Sequence, residues 1–83
     1  MKELIASLEK LKNEDGNVYF QNGVQSIIDK IAALDAAAII SINPEEIKRY
    51  GDHQQRCLPL IYGAGIRESC YIIARWIQAK GGK

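Results

Sequence analysis

The sequence predicts an all-α fold, a small bundle of four or five helices. An N-terminal αα-hairpin opens it, followed by a kinked helix and a strongly apolar C-terminal helix. Three observations carry this. Apolar residues recur at alternating three- and four-residue steps, the spacing that lines one face of a helix. Turn and capping residues gather in two short stretches, Asn13–Asn17 and Ser41–Glu46. The chain has 83 residues, 47% of them hydrophobic, which suits one ordered domain over residues 1–83 and excludes a disordered chain.

The first helix is predicted from about Lys2 to Asn13. Met1, Leu4, Leu8 and Leu11 form one stripe, and Lys2, Glu3, Glu9, Lys10 and Lys12 face the solvent. Asn13-Glu14-Asp15-Gly16-Asn17 ends it, because these residues favour turns. The second helix is predicted to begin between Val18 and Asn22 and to reach about Ile40. Its stripe is Val24, Ile27, Ile31, Leu34 and Ala38. A short connection makes the two an antiparallel pair.

Asn43-Pro44-Glu45-Glu46 is the clearest helix start in the chain. Asn43 is placed to cap, Pro44 needs no N–H at the first helical position, and the two acids suit the positive end of the helix dipole. In the third helix Gly51 is a potential break, and Pro59 is expected to kink or end it. Gly63-Ala64-Gly65 is read as a turn or a tight crossing. The last helix is predicted from about Ile66 to Lys80, with Ile66, Cys70, Ile73 and Ile77 as its stripe. Tyr71, Ile72 and Trp76 lie off that stripe and make the helix apolar on a second side. A helix of this kind must be covered, either by its own chain or by a partner.

Composition removes several function classes. Eleven Lys and Arg against ten Asp and Glu leave a net charge of +1, so no global field draws nucleic acid. The best basic cluster is local: Arg67, Arg75, Lys80 and Lys83. No uncharged run is long enough to span a membrane, and the start of the chain does not read as a signal peptide, so a cytoplasmic location is expected. Two cysteines, Cys57 and Cys70, are too few for a disulfide scaffold.

The chemical motifs are weak. His53, Cys57 and Cys70 are ligand types that suit zinc, but they lack a close Cys-x-x-Cys pair, so no metal is expected. No nucleophile–base pair in an activating loop and no phosphate-cradling glycine loop is legible, so neither catalysis nor a cofactor is expected. The segment Gly65–Ile77 resembles the second half of a helix-turn-helix motif. That resemblance implies a DNA-binding motif over residues 60–77, with DNA contact by Arg67, Arg75 and Lys80. It departs from the motif in the long spacing from Gly65 to Trp76, in Pro59, and in Tyr71, Ile72 and Ile73 where base-reading polar residues belong.

The resulting expectation is a non-enzymatic protein–protein interaction module. It is expected to homodimerise and to act as a regulator, an adaptor or an accessory protein of mobile elements. Its expected contact residues are Tyr62, Tyr71, Ile72, Arg75 and Trp76, since aromatic and Arg side chains dominate interfaces. A DNA-binding regulator is the alternative.

Overall fold

The computed structural model describes residues 1–81. Among the described residues five α-helices follow one another: α1 (Lys2–Glu14), α2 (Val18–Ala32), α3 (Ala36–Ile40), α4 (Pro44–Cys57) and α5 (Leu60–Ala79). No strand occurs among the described residues. Helix α5 is the centre of the bundle and packs on α4, α2 and α1. Leu4 and Leu8 of α1, Val24 of α2, Ile39 of α3 and Ile77 of α5 have no exposed surface.

The predicted hairpin is present. Asn17 caps α2, its side chain accepting from the Tyr19 and Phe20 N–H groups at 2.9 and 3.4 Å. Lys12 Nζ donates to Gln25 Oε1 at 2.7 Å and ties α1 to α2. The fold departs from expectation where α2 ends. Instead of running on to Ile40, the chain leaves the helix at Ala33, and Asp35 caps a new one by accepting from the Ala38 N–H at 2.8 Å. The break redirects the apolar stripe. Leu34 and Ala38, which continue the α2 stripe in sequence, are exposed, while Ile39 is fully buried. A continuous helix would hold Leu34 and Ala38 on the face that carries Ile27 and Ile31. The Asp35 cap turns the chain so that Ile39 reaches the core instead.

Helix α4 starts as its sequence predicts, with Asn43 accepting from the Glu45 N–H at 2.9 Å and Pro44 in the first turn. Gly51 does not break it. A Cβ there would lie 2.9 Å from Cys70 Cβ and 3.1 Å from Arg67 Cα, so the glycine is what lets α4 lie close against α5. Pro59 separates the two helices: α4 ends at Cys57, and α5 begins directly after the proline, with the Gly63 N–H donating to the Pro59 carbonyl at 2.8 Å.

Gly63-Ala64-Gly65 is a crossing and not a turn. All three residues are helical, and α5 starts at Leu60, well before the predicted Ile66. A Cβ on Gly65 would overlap the Phe20 carbonyl oxygen of α2, and one on Gly23 would overlap the Tyr62 carbonyl oxygen of α5. The two helices therefore touch backbone to backbone near their N-terminal ends. Within the described residues only Gly81, with φ of 83°, has a positive φ, and it follows the end of α5.

Candidate functional site

The five expected contact residues do not form one surface. Tyr71 faces α4, where its hydroxyl donates to the Asp52 carboxylate, 3.0 and 3.1 Å from its two oxygens. Arg67 joins this clasp. Its Nε donates to Asp52 Oδ1 at 2.8 Å, and its guanidinium lies 4.5 Å from the Tyr71 ring centroid. Burial works to raise the Asp52 carboxyl, but the hydrogen bonds from Arg67 and Tyr71 outweigh it and hold it below the ordinary value of 3.8. Tyr62 is half-buried and packs against the core at the α2–α5 crossing.

Ile72, Arg75 and Trp76 line a shallow groove between α5 and α1, together with Leu4 and Ser7. Ile72 and Trp76 are half-buried and packed against the core, while Arg75 is exposed and forms no ion pair among the described residues. The Trp76 indole Nε1 is buried with no hydrogen-bond partner. Lys80 lies 5.7 Å from the Trp76 ring centroid and pairs with Glu3 of α1 at 3.9 Å.

The three residues of the DNA-binding alternative are thus divided. Arg67 is held by Asp52 and Glu68, Lys80 leans on α1, and Arg75 alone projects freely. The turn that a helix-turn-helix reading needs near Gly65 is absent, because residues 60–79 form one helix. The physical reason is the crossing, where a turn would pull the Gly65 backbone away from α2. Lys83 lies outside the described residues.

His53 and Cys57 share the exposed face of α4, with His53 Nε2 3.4 Å from Cys57 Sγ. Cys70 does not join them. It is buried at the α4–α5 packing, and burial pushes its thiol up to about 11. Among the described residues no group of three or more His, Cys, Asp or Glu side chains is placed to hold a metal ion. None of the described helices is long and apolar enough to cross a membrane.

Two features escaped sequence reasoning. The first is an exposed apolar end. Among the described residues six large hydrophobic side chains are exposed, and four of them, Val18, Tyr19, Leu60 and Ile61, sit on the first turns of α2 and α5. Each of those turns packs on the other helix at the glycine crossing, Phe20 against Gly65 and Tyr62 against Gly23. Leu60 and Tyr19 are 67% and 64% exposed, the highest among these six. The surrounding sequence carries no charge between Asp15 and Asp29, nor between Arg56 and Arg67. That double gap in a chain with 25% charged residues was the available signal.

The second feature is an open apolar cleft of about 270 Å³ between α2, α3, α4 and α5. Ile27, Ile31, Ile39, Ile47 and Ile73 line it, with Cys70 among them. Lys30, Leu34, Glu46 and Tyr50 are exposed and form its rim. The cleft exists because α2 breaks at Ala33 and α3 swings across its end. A sequence read as one helix to Ile40 has no such space.

Comparison with known proteins adds no relative. No family model matches the sequence, and neither a curated protein nor a solved structure is significantly similar to it. The fold defines a small five-helix α-bundle and no more specific class.

Proposed function

We propose that the chain is a non-enzymatic helical interaction module, an adaptor or regulator that self-associates through the exposed apolar end formed by Val18, Tyr19, Leu60 and Ile61. The carrying observation is that four of the six large hydrophobic side chains exposed among the described residues sit on two helix starts, each packed on the other helix at the glycine crossing. Contiguous apolar surface on a small domain marks an interaction site.

A second copy of the same end is the occupant that its charge favours. The two segments carrying these residues have no charged side chain from Gly16 to Ile28 or from Cys57 to Ile66. Two such ends meet about a twofold axis without burying like charges in their own segments, and a self-complementary patch is what twofold dimers use. An end with few exposed anchors lies at the small limit of specific interfaces, so the association is weak and depends on concentration.

The test is solution mass by light scattering after size exclusion, across concentration and at two salt levels. Wild-type protein is expected to shift toward a dimer as concentration rises, with little effect of salt. Tyr19→Glu and Ile61→Glu are expected to stay monomeric, and Arg75→Ala to dimerise like wild type. A monomer at every concentration overturns the proposal. So does a dimer that survives both glutamate variants. Added duplex DNA is expected to leave the masses unchanged, whereas salt-sensitive binding lost in Arg75→Ala returns the reading to a DNA-binding regulator.

A further inference from the structure

The cleft between α2, α3, α4 and α5 shares no lining residue with the apolar end, and its character is different. Its walls come from four separate helices and are nearly all aliphatic, with Ile27 and Ile31 from α2, Ile39 from α3, Ile47 from α4 and Ile73 from α5. Such a concave apolar space with a few polar groups at its mouth is the general form of a small-molecule site. Its volume of about 270 Å³ exceeds the roughly 150 Å³ that holds benzene in an engineered apolar cavity. A body on the order of ten carbons fits that scale.

The mouth decides which polar end the ligand carries. Lys30 Nζ donates to the Tyr50 hydroxyl at 3.1 Å and lies 5.6 Å from the Tyr50 ring centroid, so the ammonium is held at the rim rather than swinging free. Its partner there is a neutral phenol. Lys30 forms no ion pair among the described residues. The other charged rim group, Glu46, sits in the first turn of α4, where the helix dipole stabilises its carboxylate. The rim therefore carries one ammonium and one carboxylate that form no ion pair with each other, and the ammonium is the group fixed beside a hydroxyl at the mouth of the aliphatic cleft.

We infer that this cleft binds a small amphipathic monoanion, a medium-chain carboxylate of about ten carbons, with its chain among the isoleucines and its carboxylate on Lys30 and the Tyr50 hydroxyl. The Tyr50 hydroxyl accepts from Lys30, which leaves its own hydrogen to donate to a carboxylate oxygen. Burial of the alkyl chain supplies the affinity, and the Lys30 contact selects the sign of the head group. This inference stands apart from self-association, since the two sites share no residue.

The experiment uses the full chain with three probes of one chain length: decanoate, decanol and decylammonium. Affinity is measured by calorimetry, and the position of each by methyl NMR shifts. Decanoate is expected to bind one-to-one, tighter than decanol, with shifts centred on the methyls of Ile27, Ile31, Ile39, Ile47 and Ile73. Lys30→Gln, at an exposed position, is expected to weaken decanoate by roughly two- to fivefold and to leave decanol unchanged. Ile47→Trp fills the cleft from a half-buried position and is expected to abolish binding of all three. Tighter binding of decylammonium overturns the inference, as do shifts confined to the α1–α5 groove or to Val18, Tyr19, Leu60 and Ile61. Absence of binding at millimolar decanoate, or an unchanged decanoate affinity in Lys30→Gln, overturns it as well.

Discussion

The two halves of α5 look alike in sequence and behave differently in the fold. From Ile66 to Ile77 the helix is inside. Ile66, Cys70, Ile73, Ala74 and Ile77 are buried, and even the off-stripe Tyr71, Ile72 and Trp76 are half-covered by α4 and α1. From Leu60 to Gly65 the same helix presses two glycines against its neighbours, Gly63 toward α4 and Gly65 toward α2, while Leu60 and Ile61 stand in solvent. A helix that is apolar all round demands cover, and this chain supplies that cover for the second half only. Exposure, not apolar character, separates the part that builds the core from the part that leaves Leu60 and Ile61 uncovered.

The largest expected effect lies in the buried half. Ile77→Ala is expected to destabilise the fold by about 3–4 kcal/mol, because the side chain has no exposed surface and leaves a cavity. Denaturant unfolding measures it, and a loss near zero would show that α5 is not the central helix. Gly65→Ala tests the crossing. The added Cβ meets backbone of α2 rather than a flexible side chain, so a loss of about 2–3 kcal/mol is expected. A neutral result would place the helices further apart than the structure does.

The exposed half should respond in the opposite way. Ile61→Glu is expected to cost about 1 kcal/mol of monomer stability, well below the cost in the buried half, while removing self-association. A large stability loss without a change in mass would assign Ile61 to the core. The smallest effect is expected at the α4–α5 clasp. The Asp52 carboxyl titrates below its ordinary 3.8, so its contribution to stability is complete above that pH and is lost as pH falls through the lower folded value. The melting temperature of Asp52→Asn should therefore depend less on pH across that acid range than that of wild type. Identical profiles would show that the clasp is not formed in solution.

Much of this architecture was legible in the sequence. The stripes of α1 and of the buried half of α5 and the Asn43-Pro44 start rest on local chemistry, namely helical periodicity and caps. Periodicity brackets the start of α2 only between Val18 and Asn22, and it does not show the Asn17 cap. The break at Ala33 was not legible, because Asp35 acts as a cap only once Ile39 has a core to enter. The glycines were ambiguous for the same reason. Gly51 reads as a potential break and Gly63-Ala64-Gly65 as either a turn or a tight crossing, and only the structure decides, since the neighbour that needs the space is distant in sequence. The candidate surfaces followed this pattern. Tyr71 and Arg67 looked available until α4 brought Asp52 to them, and the cleft depends on a break that periodicity does not show. The exposed end left a trace in the two charge-free stretches.

The central claim is that self-association uses the first turns of α2 and α5. Isotope-filtered NMR on a mixture of labelled and unlabelled protein tests it most directly, because it separates contacts between copies from contacts within one. The account predicts intermolecular contacts from Val18, Tyr19, Leu60 and Ile61, absent in Ile61→Glu. Intermolecular contacts centred on Ile72, Arg75 and Trp76, or none at concentrations where the mass is that of a dimer, would contradict it.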